Sequence, residues 1–316
     1  MSEIMDLINK KILENKSASE ICQELKITKK RLYYYLQLLK NKGFVFKTEY
    51  CSDGEVRYNV THSLKSYNSI NSNELNIKMP SDVSTLKTLV ISDLHFGNEL
   101  ERLDLVDAMF NYCIKNDIHI ILCCGDILDG TFSKEKQILA NHIDQIEYFI
   151  KKYPFVPGIS TLAVLGDHDF SILYNYNYDP MKIITQHRCD IGIGGYRHAN
   201  VNIKDETILL HHKFFGKDKQ EQFTSKIVLH GHHHSYTARM CSNTNALHIN
   251  VPALCNIMTE IPSALEMNLR FDENSLDTVS IKQLLATKNS IISLNNMEFH
   301  LNNVISDNKC KIKINQ

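Results

Sequence analysis

No stretch of this chain stays apolar over the roughly 20 residues that a bilayer-spanning helix needs, so nothing in it calls for a membrane. Global charge is missing too. The 35 basic and 36 acidic residues leave a formal net charge of -1, which gives neither nucleic acid nor an anionic lipid surface a long-range field. Any basic surface must be local. The nine cysteines lack the paired spacing of a zinc ribbon, and no secretory signal precedes them. Cys123 and Cys124 are neighbours inside an apolar run, and buried, reduced thiols in a cytoplasmic protein are the expectation. What is present is a 43% hydrophobic composition, enough for an ordinary core, and a length of 316 residues, for which two domains are the natural reading.

The first sixty residues read as a module of their own. Ile4, Leu7, Ile8 and Ile12 fall at helical spacing, and Ser17-Ala18-Ser19-Glu20 has the form of a capping box that opens a second, short helix,. Ile27 closes the turn that follows. Thr28 is placed to cap a third helix with Leu32, Leu36 and Leu39 on its apolar face, and Gly43 is placed to stop it,. Residues 44–50 and 55–60 read as strands joined across Ser52-Asp53-Gly54, a hairpin turn,. Three helices and a hairpin in this order resemble a winged helix-turn-helix domain, whose third helix is the one expected to enter a major groove. The module holds nine Lys and two Arg against six Glu and two Asp, a small positive excess. Lys29, Lys30 and Arg31 adjoin Tyr33-Tyr34-Tyr35 on the third helix. Lys29, Lys30, Arg31 and Tyr34 are therefore the candidate nucleic-acid contacts. A solvated helix face, or a dimerisation surface, is the alternative.

Domain 1 spans 1–62, and a Ser-, Asn- and Lys-rich stretch over 63–85 reads as a flexible linker,. From 86 to 285 apolar strands alternate with amphipathic segments: strands around Leu89–Ile91, Ile118–Leu122, Leu162–Leu165, Ile208–Leu210 and Ile227–Leu229, with crossover helices near Leu103–Ile114 and Ile138–Ile150,. Later strands near Leu247–Val251 and Leu265–Phe271 predict a second sheet that completes a sandwich. Residues 286–316 are left as a C-terminal extension. The class is α/β, a β-sandwich flanked by helices.

Five Asp- and His-rich motifs close these apolar runs in order: Asp93-Leu94-His95, Gly125-Asp126-Ile127-Leu128-Asp129, Gly166-Asp167-His168-Asp169, His211-His212 and Gly231-His232-His233-His234. Strands would deliver these carboxylates and imidazoles to one rim of a sheet, where open α/β folds place ligands. Carboxylate with imidazole suits divalent cations, and the motifs contain no cysteine, which disfavours a structural zinc site.

The series resembles that of the calcineurin-like metallophosphoesterases, whose order is Asp-x-His, Gly-Asp, Gly-Asn-His-Asp, His and Gly-His-x-His. The resemblance covers about residues 86–271. It implies two divalent metal ions, manganese first, with iron, zinc and nickel as alternatives. Asp93, His95, Asp126 and His234 would hold one. Asp126 would bridge to the other, held also by Asp167, His211 and His232. His168 would face the substrate phosphate and protonate the leaving oxygen, with Asp169 orienting it. His211 is preferred to His212 because the resembling motif uses the residue that ends the strand, although a one-residue slip reverses the face. His230 and His233 are read as supporting or surface groups. Asp167 stands where the family commonly has Asn. One more carboxylate predicts tighter metal binding and a less acidified water.

For the substrate, Asp93-Leu94-His95-Phe96-Gly97 and Gly125-Asp126-Ile127-Leu128-Asp129-Gly130 are similar to the DNA-processing branch, which includes repair nucleases and archaeal polymerase small subunits. Protein Ser/Thr phosphatases typically carry an arginine shortly after the bridging Asp, and Ile127-Leu128-Asp129-Gly130 has none. Tyr174, Tyr176 and Tyr178, followed by His187, Arg188, Arg197 and His198, would wall the site and stack bases, or serve as an ordinary loop over the sheet. Together these readings predict a metal-dependent phosphodiesterase or nuclease with nucleic acid as partner. The alternatives are a DNA-binding regulator with a ligand-sensing phosphoesterase domain, and a small-molecule or cyclic-nucleotide phosphodiesterase.

Overall fold

In the computed structural model the described residues are 3–41, 45–50, 55–61, 74–132, 136–212, 225–242, 245–257, 261–286 and 291–301. They fall into two compact units. The first comprises residues 1–71 with the segments 155–158 and 185–190, and the second the remainder.

The first unit carries α1 (Glu3–Leu13), α2 (Ala18–Glu24), α3 (Lys29–Asn41) and an antiparallel pair, β1 (Val45–Tyr50) with β2 (Val56–Thr61). The capping box at the start of α2 is formed: the Glu20 amide donates to Ser17 Oγ at 3.2 Å, and the Ser17 amide donates to the Glu20 carboxylate at 2.7 Å. This satisfies two amides that the first turn leaves without intrahelical partners. Ile8, Ile12, Ile21, Leu32 and Leu36 form a core, whereas Leu7, assigned to the same apolar face, is 41% exposed. Tyr33 lies against Phe155 with ring centroids 3.9 Å apart and planes tilted by 34°. The expected hairpin turn at Ser52-Asp53-Gly54, the helix stop at Gly43 and the side chain of Leu39 lie outside the described residues.

The second unit is built on two sheets. The first contains, in spatial order, β15 (Ile291–His300), β14 (Ser275–Ala286), β13 (Ser263–Asp272), β4 (Thr85–Ile91), β5 (Ile120–Cys123), β6 (Ser160–Leu165) and β7 (Ile191–Tyr196). The second runs β11 (Thr237–Cys241), β12 (Ala246–Asn250), β10 (Ile227–His230), β9 (Glu206–His211), β8 (His198–Ile203) and β3 (Glu74–Ile77). Val90, Leu122, Val164, Leu210, Leu229, Ile249 and Leu265 meet in a buried core shared by the two sheets. The parallel strands β4, β5 and β6 are joined by α4 (Leu103–Asn116) and α5 (His142–Lys152), whose apolar faces are buried at Leu105, Met109 and Phe110 and at Ile146 and Phe149. Two further helices, α6 (Asp167–Tyr176) and α7 (Pro180–His187), follow β6.

Two expectations are corrected. The segment read as a flexible linker contains β3, which pairs in parallel with β8. Its Glu74-Leu75-Asn76-Ile77 alternates exposed and half-buried positions, the pattern of an edge strand that covers one face only. The segment read as an extension contains β15, which pairs with β14 over its length and places Phe299 against the core. Polar residues dominate the surroundings of both strands, so neither stands out as an apolar run.

Candidate metal centre

The ends of β4, β5, β6, β9 and β10 release the five motifs at one rim of the sandwich. Three sets of ligand atoms converge there, each within 4.8 Å: Asp126, Asp167, His212 and His232; Asp93, His95 and His234; and His95, Asp126 and His168. Asp126 is shared between the first set and the last. The pieces are tied by backbone donors: the His168 amide donates to Asp126 Oδ1 at 3.0 Å, and the His232 amide to Asp93 Oδ2 at 3.1 Å. Gly166 permits this closeness, because a Cβ there would lie 2.1 Å from Asp126 Oδ1.

The donor set fits divalent cations. Asp93 Oδ1, Asp126 Oδ2, His95 Nε2 and His212 Nε2 are buried and make no hydrogen bond, an expensive arrangement for polar atoms in a dry interior unless a cation completes it. Contacts between ring nitrogens and carboxylates are close: His212 Nε2 lies 3.0 Å from Asp126 and 3.1 Å from Asp167, and His234 Nε2 lies 3.1 Å from Asp93. Burial works against the charge on Asp93, but the imidazoles of His234, His212 and His95 outweigh it and hold the carboxyl well below its usual range. Asp167 is likewise lowered, His212 and His232 overcoming partial burial. His212 is raised well above an ordinary imidazole, Asp126 and Asp167 prevailing over its desolvation. The cleft thus favours positive charge.

Asp93, His95, Asp126, His232 and His234 all adopt positive φ, between 48° and 70°. Single residues in this left-handed region cost about 1–2 kcal/mol each, and such strain gathers at sites where function fixes the backbone. All five are Asp or His, types that enter this region more readily than most, but their convergence at one rim is a geometric signal.

His211 is corrected. It ends β9, but along that strand Leu210 faces the core between the sheets and Leu209 the opposite side. His211 shares the face of Leu209, and His212 returns to the inner face. There His212 Nδ1 donates to the Cys124 carbonyl at 2.7 Å, which turns Nε2 towards Asp126 and Asp167 and fixes the tautomer. His211 joins an outer row instead. Its Nδ1 lies 3.2 Å from His230 Nδ1, and His230 Nε2 lies 2.9 Å from His248 Nδ1. Burial, reinforced by neighbouring imidazoles, lowers His211 to about 2 and His230 to about 3. His233 is exposed.

Asp169 is corrected as well. It accepts from the amides of Gly166 at 2.8 Å, Leu128 at 2.8 Å and Ile127 at 3.1 Å, so it clamps the turn after β5 to the start of α6. Burial, with Asp126 nearby, pushes it up to about 7 against those three donors. The group that orients His168 is Asp129, whose carbonyl accepts from His168 Nδ1 at 2.7 Å. Asp129 Oδ1 also lies 3.4 Å from His95 Nδ1, and the carboxylate is itself held by Asn98 at 2.9 Å and Gln137 at 2.7 Å. Its place in Gly-Asp-Ile-Leu-Asp, three residues after Asp126, is the signal that makes it available in the sequence.

The remaining candidates separate. Lys29, Lys30, Arg31 and Tyr34 lie exposed at the start of α3, with Tyr34 57% open. In the expected aromatic wall, Tyr174 is exposed, Tyr176 stacks on His142 at 4.0 Å, and Arg197 lies over Phe170. Arg188 is committed to a buried ion pair with Asp190 at 2.6 Å.

A family model described as calcineurin-like phosphoesterase matches residues 86–260. Among solved structures, the chain is similar to a predicted phosphoesterase of Streptococcus pneumoniae, with 16% identity over 69% of this chain and 99% of that one and a TM-score of 0.37. It is similar to Yfce, a phosphoesterase from E. coli, with 16% identity over 66% and 98% of the two chains and a TM-score of 0.40. It is also similar to nuclease MPE of Pseudomonas putida, with 14% identity over 66% and 87% and a TM-score of 0.33. No curated protein matches. Among the described residues, no helix is long and apolar enough to cross a membrane.

Proposed function

The chain belongs to the calcineurin-like phosphoesterase family and is a metal-dependent phosphoric ester hydrolase; from that premise we propose that it cleaves phosphodiester bonds of nucleic acid at a centre of two divalent ions, manganese first among them. The observation that carries the dinuclear reading is that Asp126 groups with Asp167, His212 and His232 on one side and with His95, itself grouped with Asp93 and His234, on the other. Asp93, His95 and His234 would hold one ion, and Asp167, His212 and His232 the other, with Asp126 common to both. Bound there, the cations supply charge that offsets the phosphate's and a more acidic water as nucleophile.

The chain's own residues supply the rest. With Nδ1 donating to the Asp129 carbonyl, the ring nitrogen that His168 turns to a substrate oxygen is Nε2, placed to give a proton to the leaving alkoxide. The Asp169 clamp holds α6, and with it His168, against the turn that carries Asp126. That fixes acid and bridging ligand relative to one another before substrate arrives.

Nucleic acid as substrate is supported by two observations. After Asp126 the chain runs Ile127-Leu128-Asp129-Gly130, without the arginine that resembles a phosphoprotein phosphatase. In the first unit, Lys29, Lys30 and Arg31 crowd the first turn of α3, which has no acidic residue. Cations at a helix N-terminus are disfavoured by the macrodipole, at about 0.3–1 kcal/mol each, so a phosphate ligand accounts for their placement. Three helices followed by a hairpin support a winged-helix reading of this unit, with α3 as the element that contacts DNA. The test is a manganese-supplemented assay on single-stranded DNA, duplex DNA, RNA and bis-p-nitrophenyl phosphate, with His168→Ala as control. Nucleic-acid cleavage that falls about a hundredfold or more in the variant is expected. Cleavage of the small diester and of no nucleic acid would remove the substrate assignment.

A further inference from the structure

Phe132 is 62% exposed, yet it sits beside the acid of the site: its ring centroid lies 4.9 Å from that of His168 in an edge-to-face arrangement. A single exposed aromatic residue is ordinary on a protein surface. This one is different in how its backbone is held. The Gly130 amide donates to Gln145 Oε1 at 2.9 Å, and the Gly130 carbonyl accepts from Gln145 at 3.0 Å and from Gln137 at 2.8 Å. The Thr131 amide donates to Ser171 Oγ at 3.0 Å, and that hydroxyl donates in turn to the His168 carbonyl at 2.6 Å. Asn175, on the same helix as His168, donates to Thr131 Oγ1 at 2.7 Å. Gly130 takes φ +69°, and a Cβ there would lie 2.2 Å from the His168 carbonyl oxygen. Thr131 is thus fastened to the helix that carries the acid and Gly130 to Gln137 and Gln145 beside it, and the aromatic ring is presented to solvent next to His168.

We propose that Phe132 is a stacking platform for a nucleobase that adjoins the scissile phosphate. The inference rests on the nucleic-acid reading above and names which part of the substrate is recognised. A base whose phosphate lies at His168 is within one nucleotide of this ring. Every base has a π-face, so a lone aromatic platform contributes affinity without sequence preference. Because the residues leading to the ring are already fixed, little conformational freedom is lost on binding. The site would then favour nucleotides with bases over bare sugar-phosphate of the same charge.

The full-length, manganese-loaded enzyme tests this with two single-stranded oligonucleotides, each with one hydrolysable phosphodiester. In one the flanking nucleotides are thymidines, and in the other they are abasic tetrahydrofuran units. Wild-type protein is expected to prefer the base-bearing substrate about tenfold in kcat/KM, mostly through KM, as one base stacked on an aromatic side chain gives. In Phe132→Ala the preference falls towards unity, and in Phe132→Trp it is kept or enlarged. The same preference in wild type and Phe132→Ala, with both oligonucleotides cleaved, would overturn the stacking role alone. Turnover of bis-p-nitrophenyl phosphate with neither oligonucleotide cleaved would overturn it together with the substrate assignment.

Discussion

His211 and His212 are chain neighbours with opposite chemistry. The inner residue faces Asp126 and Asp167 and is raised well above an ordinary imidazole; the outer one faces His230 and is lowered to about 2. Both are buried, so desolvation acts against charge on each. What differs is the neighbour. Carboxylates make the inner face a place for positive charge, and imidazoles make the outer row neutral. Affinity for a cation would therefore follow from the carboxylates that surround the histidines, more than from the number of histidines.

The strongest way to break this contrast is Asp126→Ala, which removes the shared carboxylate. Loss of about a thousandfold or more in turnover is expected, with metal analysis after dialysis showing neither ion retained. Next, His212→Ala should cost one of the two ions and about a hundredfold in activity, whereas His211→Ala keeps both. Equal metal loss in the two variants would return His211 to the site. A finer adjustment is Asp167→Asn, which leaves the shape and takes one charge. Affinity for one ion is expected to weaken about 10- to 100-fold, read by metal titration, with the other ion little changed. The smallest effect concerns the outer row. His230 has a folded pKa near 3, below its unfolded value, so its contribution to stability is complete above the unfolded pKa near 6.5 and is lost as pH falls towards 3. Denaturant unfolding in chelator at pH 7 and pH 4 should therefore show a decline that is about 1–2 kcal/mol smaller in His230→Leu than in wild type.

The contrast also marks what a sequence can carry. The motif order places ligand-bearing residues at strand ends because strands must stop near the rim, and that requirement is visible as apolar runs ending in Asp or His. The face presented by the last residue is a matter of phase. β9 ends at His211, and only the burial of Leu210 against the core sets which of the two histidines turns inward. Asp169 shows a second limit. Its residue type suits either an orienting carboxylate or a helix-start clamp, and the amides of Gly166, Ile127 and Leu128 decide for the clamp. β3 shows a third: half-polar edge strands acquire their identity from the neighbour they pair with, here β8, and carry little pattern of their own.

The left-handed backbone at Asp93, His95, Asp126, His232 and His234, five candidate metal ligands, reaches beyond chemistry. At the low end of that cost, about 1 kcal/mol each because Asp and His enter this region more readily than most residues, they would store roughly 5 kcal/mol, the same order as the whole net stability of a typical domain. Cations that bind the folded cleft offset this by mass action. Metal supply would then govern how many copies of the protein survive proteolytic surveillance as well as how fast each one works. Under metal starvation the protein should decline in abundance, and its loss would register as turnover of the polypeptide before it registered as slow catalysis.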